Sequence, residues 1–277
     1  PLARPNPASA SHVIKGTRLG SPRCLSLEKM VTTPGQNHRL QIATHVCACE
    51  VGGQVILLDL RANRYMGIDG PAAAMLAGRV DEWPAPPNPV PQNSLTAGNE
   101  HRDFAERLVS QGLLVDAASN QGAISFGATA LGEATASLDL GDVAAHHAIG
   151  AGRFAAFLRS TARAAWWLRG RSLYWIASTL SARKHGSGAW GAGNAHRMKQ
   201  CAATYERLRP LLLTAHEKCL FDSLAMMGFL ASEGLYPSWV IGVKTRPFGA
   251  HSWVQAGTTV LNDQHEYVRQ FRPILAV

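Results

Sequence analysis

Residues 219–229 read CLFDSLAMMGF, a cysteine at the head of an apolar run. Two readings compete. Cysteine is a small hydrophobe, and a lone one in an apolar helix is more often core than nucleophile. A helix N-terminus, however, is where a thiol is favoured as thiolate. The preceding Thr214-Ala-His-Glu217 fits a capping box, in which a hydroxyl and a carboxylate three residues on satisfy the first free N–H groups. That pattern predicts a helix through Cys219 to about Ser232, stopping at Gly234, with Cys219 near the positive end of its dipole and Lys218 beside it.

Downstream lie PSWVIGVKT (237–245), AHSWVQA (250–256) and TTVLND (258–263), expected as three strands of an antiparallel sheet. Alternation puts His251, Trp253 and Gln255 on one face. If the last two strands are hairpin partners through Ala256-Gly257, His251 and Asp263 stand close at one sheet edge. A helix packed on the sheet then presents Cys219 to the imidazole, and Asp263 accepts from the second ring nitrogen. Taken singly, each residue has a bland reading as core or turn. In the order helix-Cys, strand-His, strand-Asp they read better as a nucleophile, a base and its orienting group. The Cys219 amide is a candidate oxyanion donor; His216 and the residues before Cys219 are candidates for the second, with no motif behind them.

Between Val143 and Leu180 the chain is strongly helical, with breaks expected near Gly170 and at HGSGAWGAGN (185–194); AHRMKQCAATYERLRPLL (195–212) carries a further helix. Residues 119–142, rich in Ala, Gly, Ser and Thr, read as a linker. It separates a domain over 38–118 from one over 143–277, behind an irregular segment, 1–37, in which Met30 is a candidate start. In the first domain HVCACEV (45–51) and QVILLDL (54–60) are strands joined at Gly52-Gly53, a strong hairpin signal. A turn at Ala62-Asn63 leads to a third strand, Tyr65 to Ile68, and Asp69 with Pro71 opens a helix over GPAAAMLAGRVDEW (70–83). PAPPNPVPQ (84–92) is loop. In EHRDFAERLVSQGLLV (100–115), Phe104 and Leu108 recur at helical spacing and Gly112 sits at the C-cap. Three strands with helices, then helices with a small sheet, make the chain α+β.

Two resemblances rest on these stretches. C-L-x-x-S-L-A from Cys219, V-I-G-V at 240–243, A-H-S-W-V at 250–254, V-L-N-D at 260–263 and the terminal F-R-P-I-L at 271–275 resemble the transglutaminase-like leader peptidases of lasso-peptide biosynthesis. The resemblance implies a cysteine-protease triad of Cys219, His251 and Asp263. VILLDLRANRYMGIDGPAA (55–73) and LVSQGLLV (108–115) resemble the PqqD-like peptide-recognition element, a winged helix of three strands and three helices. That resemblance implies a leader peptide added as a strand beside Arg64, Tyr65 and Met66, in a groove next to Phe104, Arg107 and Leu108. Fused, the halves imply a peptidase that captures a precursor's leader and cuts the leader–core bond. The implied partners are the precursor peptide and an ATP-dependent lasso cyclase, with no cofactor. The rivals are an amide-forming acyltransferase using the same triad, and a non-catalytic peptide- or DNA-binding winged-helix protein.

Composition bounds the rest. Lys and Arg exceed Asp and Glu by 27 to 19, a net charge of +8, but the basic residues form no dense run, so nucleic acid is not expected. No stretch approaches a membrane span: AAWWLRGRSLYWIASTL (164–180) is broken by Arg169 and Arg171. Five unpaired-looking cysteines point to a reducing, cytoplasmic setting. Cys47-x-Cys49 lacks a second pair for a metal, Cys24 and Cys201 lack partners, and His146-His147 face different ways on a helix; no metal site is expected. GSGAWGAG (186–193) lacks the ending of a phosphate loop. Trp166, Trp167 and Trp175 are expected in the core or at an interface.

Overall fold

QVILLD is apolar at four consecutive positions, and a strand of that kind needs cover on both faces. In the computed structural model, which describes residues 39–84, 98–117, 126–128, 131–139, 149–185, 192–212 and 218–277, it has both. Strands β1 (Leu40–Ile42), β2 (Val46–Val51), β3 (Gln54–Asp59) and β4 (Arg64–Ile68) precede helix α1 (Gly70–Leu76) and the short β5 (Val80–Asp81). The sheet β2-β3-β4 is antiparallel and in continuous register from Val46↔Asp59 to Val51↔Gln54. Gly52 and Gly53 turn the hairpin at φ of 63° and 79°, a conformation that disfavours any side chain. On β3, Val55 and Leu57 join a core with Ile68, Leu76, Trp83, Leu108 and Leu114. Ile56 and Leu58 face the other way and join Cys47 and Cys49 in the large core of the second half.

Helix α2 (Gly98–Ser110) leads to β6 (Leu114–Asp116), with Gly112 in the left-handed conformation after the helix. A second sheet, β5-β1-β6, is built of strands of two or three residues, too short for alternation to reveal. Asp69 caps α1 as expected, its carboxylate accepting from the Ala72 N–H at 3.0 Å, but the helix ends at Leu76 and not at Trp83. Val80–Asp81 pair with β1 instead. The described residues of the first half therefore hold six strands and two helices, against the three and three expected.

Strand β7 (Ala136–Ser137) lies within the stretch expected to be linker, and pairs parallel to a strand of the second half. Helices α3 (Ala151–Gly170), α4 (Leu173–His185), α5 (Ala192–Leu208) and α6 (Cys219–Ser232) follow, with a 3-10 turn at Arg209–Leu211. Then come β8 (Ser238–Thr245), β9 (Phe248–Ala256), β10 (Thr259–Val260), the short α7 (His265–Val268) and β11 (Arg272–Ala276). The sheet runs β11-β8-β9-β10-β7, antiparallel except at β10-β7. Pro273 sits in β11, an edge strand whose register slips between Pro273 and Leu275, where a missing N–H is tolerated. Trp167 is buried, Trp175 half-buried against the core, and Trp166 is 56% exposed with the Arg171 guanidinium 5.1 Å from its ring.

Residues 38–277 form one compact unit. Phe126 is buried in the shared core, where its carbonyl accepts from the Cys47 thiol at 3.2 Å. Residues 1–37, with Cys24 and Met30, fall outside the described residues, as do the capping box at 214–217 and His146-His147. Among the described residues no helix is long and apolar enough to cross a membrane.

Burial on both faces of β3 makes a direct prediction. Ile56→Ala and Leu57→Ala, neighbours on opposite faces, should each cost about 2–5 kcal/mol in urea unfolding. A half-solvated strand would lose stability at only one of the two.

Candidate active site

Helix α6 is mostly apolar and is buried along its length, from Asp222 through Leu230 except at Gly228. Gly228 lies against α3, where an added Cβ would come within 3.2 Å of Ser160 Cβ. On the sheet side, Ser223 Oγ meets Ser252 Oγ of β9 at 2.8 Å and accepts from Trp239 Nε1 of β8 at 3.1 Å. The helix is held from both sides, so its first residue, Cys219, has a defined place. Lys218 is the cap residue, and its side chain makes no capping bond.

That place is against His251. The thiol and the imidazole share a hydrogen bond, and the backbone N–H groups of Ser252 and Leu220 also point at the sulfur. His251 Nε2 lies 2.7 Å from Asp263 Oδ2, and Asp263 Oδ1 accepts from the Gln264 N–H at 2.8 Å. The imidazole is walled by aromatic rings: Trp253 stacked at 6.2 Å, Tyr267 edge-on at 5.1 Å and Phe271 tilted at 5.2 Å. Gly242, opposite His251 on β8, makes room for that wall; a Cβ there would lie 2.8 Å from the Trp253 ring and 2.9 Å from Phe271 Cβ. No other residue fits without moving Trp253.

Burial opposes charge on all three groups, and their mutual bonds outweigh it. Burial pushes the Cys219 thiol up, but the His251 hydrogen bond, the two backbone N–H groups and the imidazolium charge bring it below the ordinary thiol range. Burial pushes His251 down, yet bonding to Asp263 and Cys219 raises it to about 9. Asp263, opposed by burial as well, is held below the usual carboxylate range by His251 and the Gln264 N–H. Both shifts favour the charged forms, thiolate on Cys219 and imidazolium on His251. The cavity at its mouth, about 1080 Å³, is lined by all three residues and by Glu206, Arg209, Asp222, Asn262 and Tyr267. Such a site can attack an acyl carbon and hand a proton to the departing group.

Asp222 and Asn262 are polar, buried and next to this chemistry, and sequence reasoning passed over both. A lone acid three residues after Cys219 in an apolar run was the available signal. Of the six residues expected to bind a leader, Arg64 is exposed and Tyr65 and Met66 half-buried on β4, whose outer edge pairs with nothing among the described residues. Tyr65 stacks edge-on with Phe248 at 5.6 Å. Arg107 is exposed with its guanidinium 5.6 Å from the half-buried Phe104 ring. Leu108, however, is 2% exposed in the core; a helix needs a buried stripe, Leu108 belongs to it, and it has no surface to offer a ligand. Cys47 and Cys49 are buried thiols pushed up to about 12, chiefly by burial. Among the described residues no three His, Cys, Asp or Glu side chains are grouped to hold a metal.

Replacing His251 removes the donor that holds the thiolate. In His251→Ala the pH midpoint for carbamidomethylation of the Cys219 peptide by iodoacetamide should move up towards that of a free thiol, about 8.5. An unchanged midpoint would mean that the helix alone sets the thiol.

Comparison with known proteins adds two findings. Over 45 residues the chain is 47% identical to the microcin J25-processing protein McjB of Escherichia coli, 16% of this chain and 22% of that protein. The match thus spans about a fifth of the relative's length. No solved structure matches the chain. Residues 158–276 match the model of the transglutaminase-like superfamily, and it is to that superfamily that the part of this α+β chain holding Cys219, His251 and Asp263 is similar.

Proposed function

We propose that the chain is a cysteine peptidase that removes the leader from a ribosomally made precursor of a lasso peptide, in a reducing, cytoplasmic setting. The observation that carries the reading is the hydrogen-bonded series from Cys219 through His251 to Asp263 at the mouth of a cavity. The similarity to a microcin-processing protein directs it towards peptide maturation.

In this reading the Cys219 thiolate attacks the carbonyl of the last leader residue. The Cys219 amide, which at the first helical position has no acceptor within the helix, faces the developing oxyanion. His251 gives its proton to the departing core amine. Water, deprotonated by the now neutral His251, then cleaves the thioester and releases the leader. Asp263 holds the ring and balances its charge throughout. The free α-amine is what a separate ATP-dependent cyclase needs for ring closure.

The edge of β4 that pairs with nothing among the described residues supports leader capture by strand addition over Arg64, Tyr65 and Met66, with Phe104 and Arg107 as side-chain contacts. Tethering there raises the local concentration of a cleavage site that binds weakly by itself. The PqqD-like identity of residues 38–118 belongs to this proposal.

The test is mass-spectrometric cleavage of the neighbouring precursor with and without the cyclase. Cleavage at one leader–core junction, abolished in Cys219→Ala and slowed roughly 10²–10⁴-fold in Asp263→Asn, is expected. Incorporation of a labelled amine in place of water would make the protein an acyltransferase. Leader binding without cleavage would leave a recognition module.

The pH profile follows from the charges. kcat/KM should rise as Cys219 ionises, below the ordinary thiol range, and fall as pH passes through about 9, where His251 loses the proton the leaving amine requires. A single ascending limb with no fall near 9 would remove His251 as the acid.

A further inference from the structure

The three candidate catalytic side chains sit on three separate segments: the start of α6, the middle of β9 and the turn after β10. Their mutual hydrogen bonds do not by themselves fix the spacing of those segments, because each bond ends on a rotatable side chain. A second set of contacts, one layer deeper, does. Asn262 is 6% exposed and immediately precedes Asp263. Its Oδ1 accepts from the Val254 N–H of β9 at 2.8 Å, and its Nδ2 donates to Asp222 Oδ2 of α6 at 3.2 Å. A backbone N–H can meet only the oxygen, so the orientation of the amide is determined. Val254 is three residues beyond His251, and Asp222 is one helical turn beyond Cys219.

Asp222 is 3% exposed. It also accepts from Tyr205 Oη at 3.0 Å, and Arg209 Nη2 lies 3.1 Å from its Oδ2. Both come from the α5 region. With those donors and Asn262 the buried carboxylate is fully bonded, and these bonds oppose the burial that still raises its pKa above the ordinary carboxylate value. Leu261 adds a backbone bond to Val254 at 2.9 Å. The path therefore closes: from Cys219 down one turn to Asp222, across to Asn262, along the chain to Asp263, and through His251 back to the thiol.

We infer that Asn262 is a positioning residue that sets the spacing of the Cys219, His251 and Asp263 segments by bridging Asp222 of α6 to the Val254 amide of β9. The inference rests on the peptidase reading of the site. Asn262 touches no reacting atom; it acts through the register of the turn that carries Asp263. The chemistry demands an amide. Only Asn at this length offers an acceptor to a backbone N–H and a donor to a carboxylate at once. An aspartate would keep the first bond and set two carboxylates against each other at the second.

The decisive variants are Asn262→Asp and the exchange Asp222→Asn with Asn262→Asp, which returns one amide and one carboxylate to the 3.2 Å contact with their roles reversed. Each is assayed for precursor cleavage and for the pH midpoint of Cys219 carbamidomethylation, with the melting temperature measured alongside. Asn262→Asp should lower kcat about a hundredfold with KM little changed, and move the Cys219 midpoint upward. The exchange should recover at least about tenfold of the lost kcat, and the midpoint with it. A lowered melting temperature with unaltered kcat and midpoint would make Asn262 a packing residue and overturn the inference; a failed recovery in the exchange would overturn the pairing with Asp222. Failure of the peptidase reading looks different: wild-type protein that does not cleave, or Cys219→Ala that still does.

Discussion

The burial of α6 is the constraint on which the rest depends. A helix this apolar must be surrounded, and here α3 closes one side while β8 and β9 close the other. Polar contacts at Ser223 and Asp222 set its position, among them Ser223 on Ser252 and Asp222 on Asn262. Buried polar groups must be paired to be tolerated, so they select one docking where apolar packing alone would accept several. Cys219 at the open end inherits that precision. The same burial that pushes the Cys219 thiol up holds the hydrogen bonds that bring it down.

The second constraint is the doubly covered sheet of the first half. Because Ile56 and Leu58 pack into the core of the helices and β8–β11 while Val55 and Leu57 pack beneath α1 and α2, the two halves of the chain are not beads on a string. Whatever binds the outer edge of β4 meets a surface that is continuous in packing with the candidate active site, and Tyr65 on that strand touches Phe248 of β9. Recognition and cleavage in the proposed function would thus share a rigid frame, and need no flexible reach between modules.

Much of this was legible, for local reasons. The Gly52-Gly53 hairpin, the Asp69 cap and the Gly112 stop are written in residues whose own backbone preferences do the work, and each stands where expected. Leu108 shows the limit: helical spacing placed it on a face but could not say whether that face met ligand or core. The ends of α1 show it too. Gly78 is a local signal for leaving the helix that was passed over, but that Val80 and Asp81 then become strand depends on β1, forty residues earlier, which offers pairing partners.

By itself the sequence determined which residue types stand where: a thiol at a helix start, an imidazole on a strand and a carboxylate at a strand end, in the order that suggested a nucleophile, a base and its partner. Those are questions of residue type and local period, and both are properties of short stretches. Only the tertiary structure decided that the helix start faces the imidazole, that Ala136–Ser137 join the sheet, and that Asp222 and Asn262 meet across forty residues. Contacts of that range depend on how two faces dock, and docking is selected by volume and by paired buried polar groups, neither of which has a period along the chain.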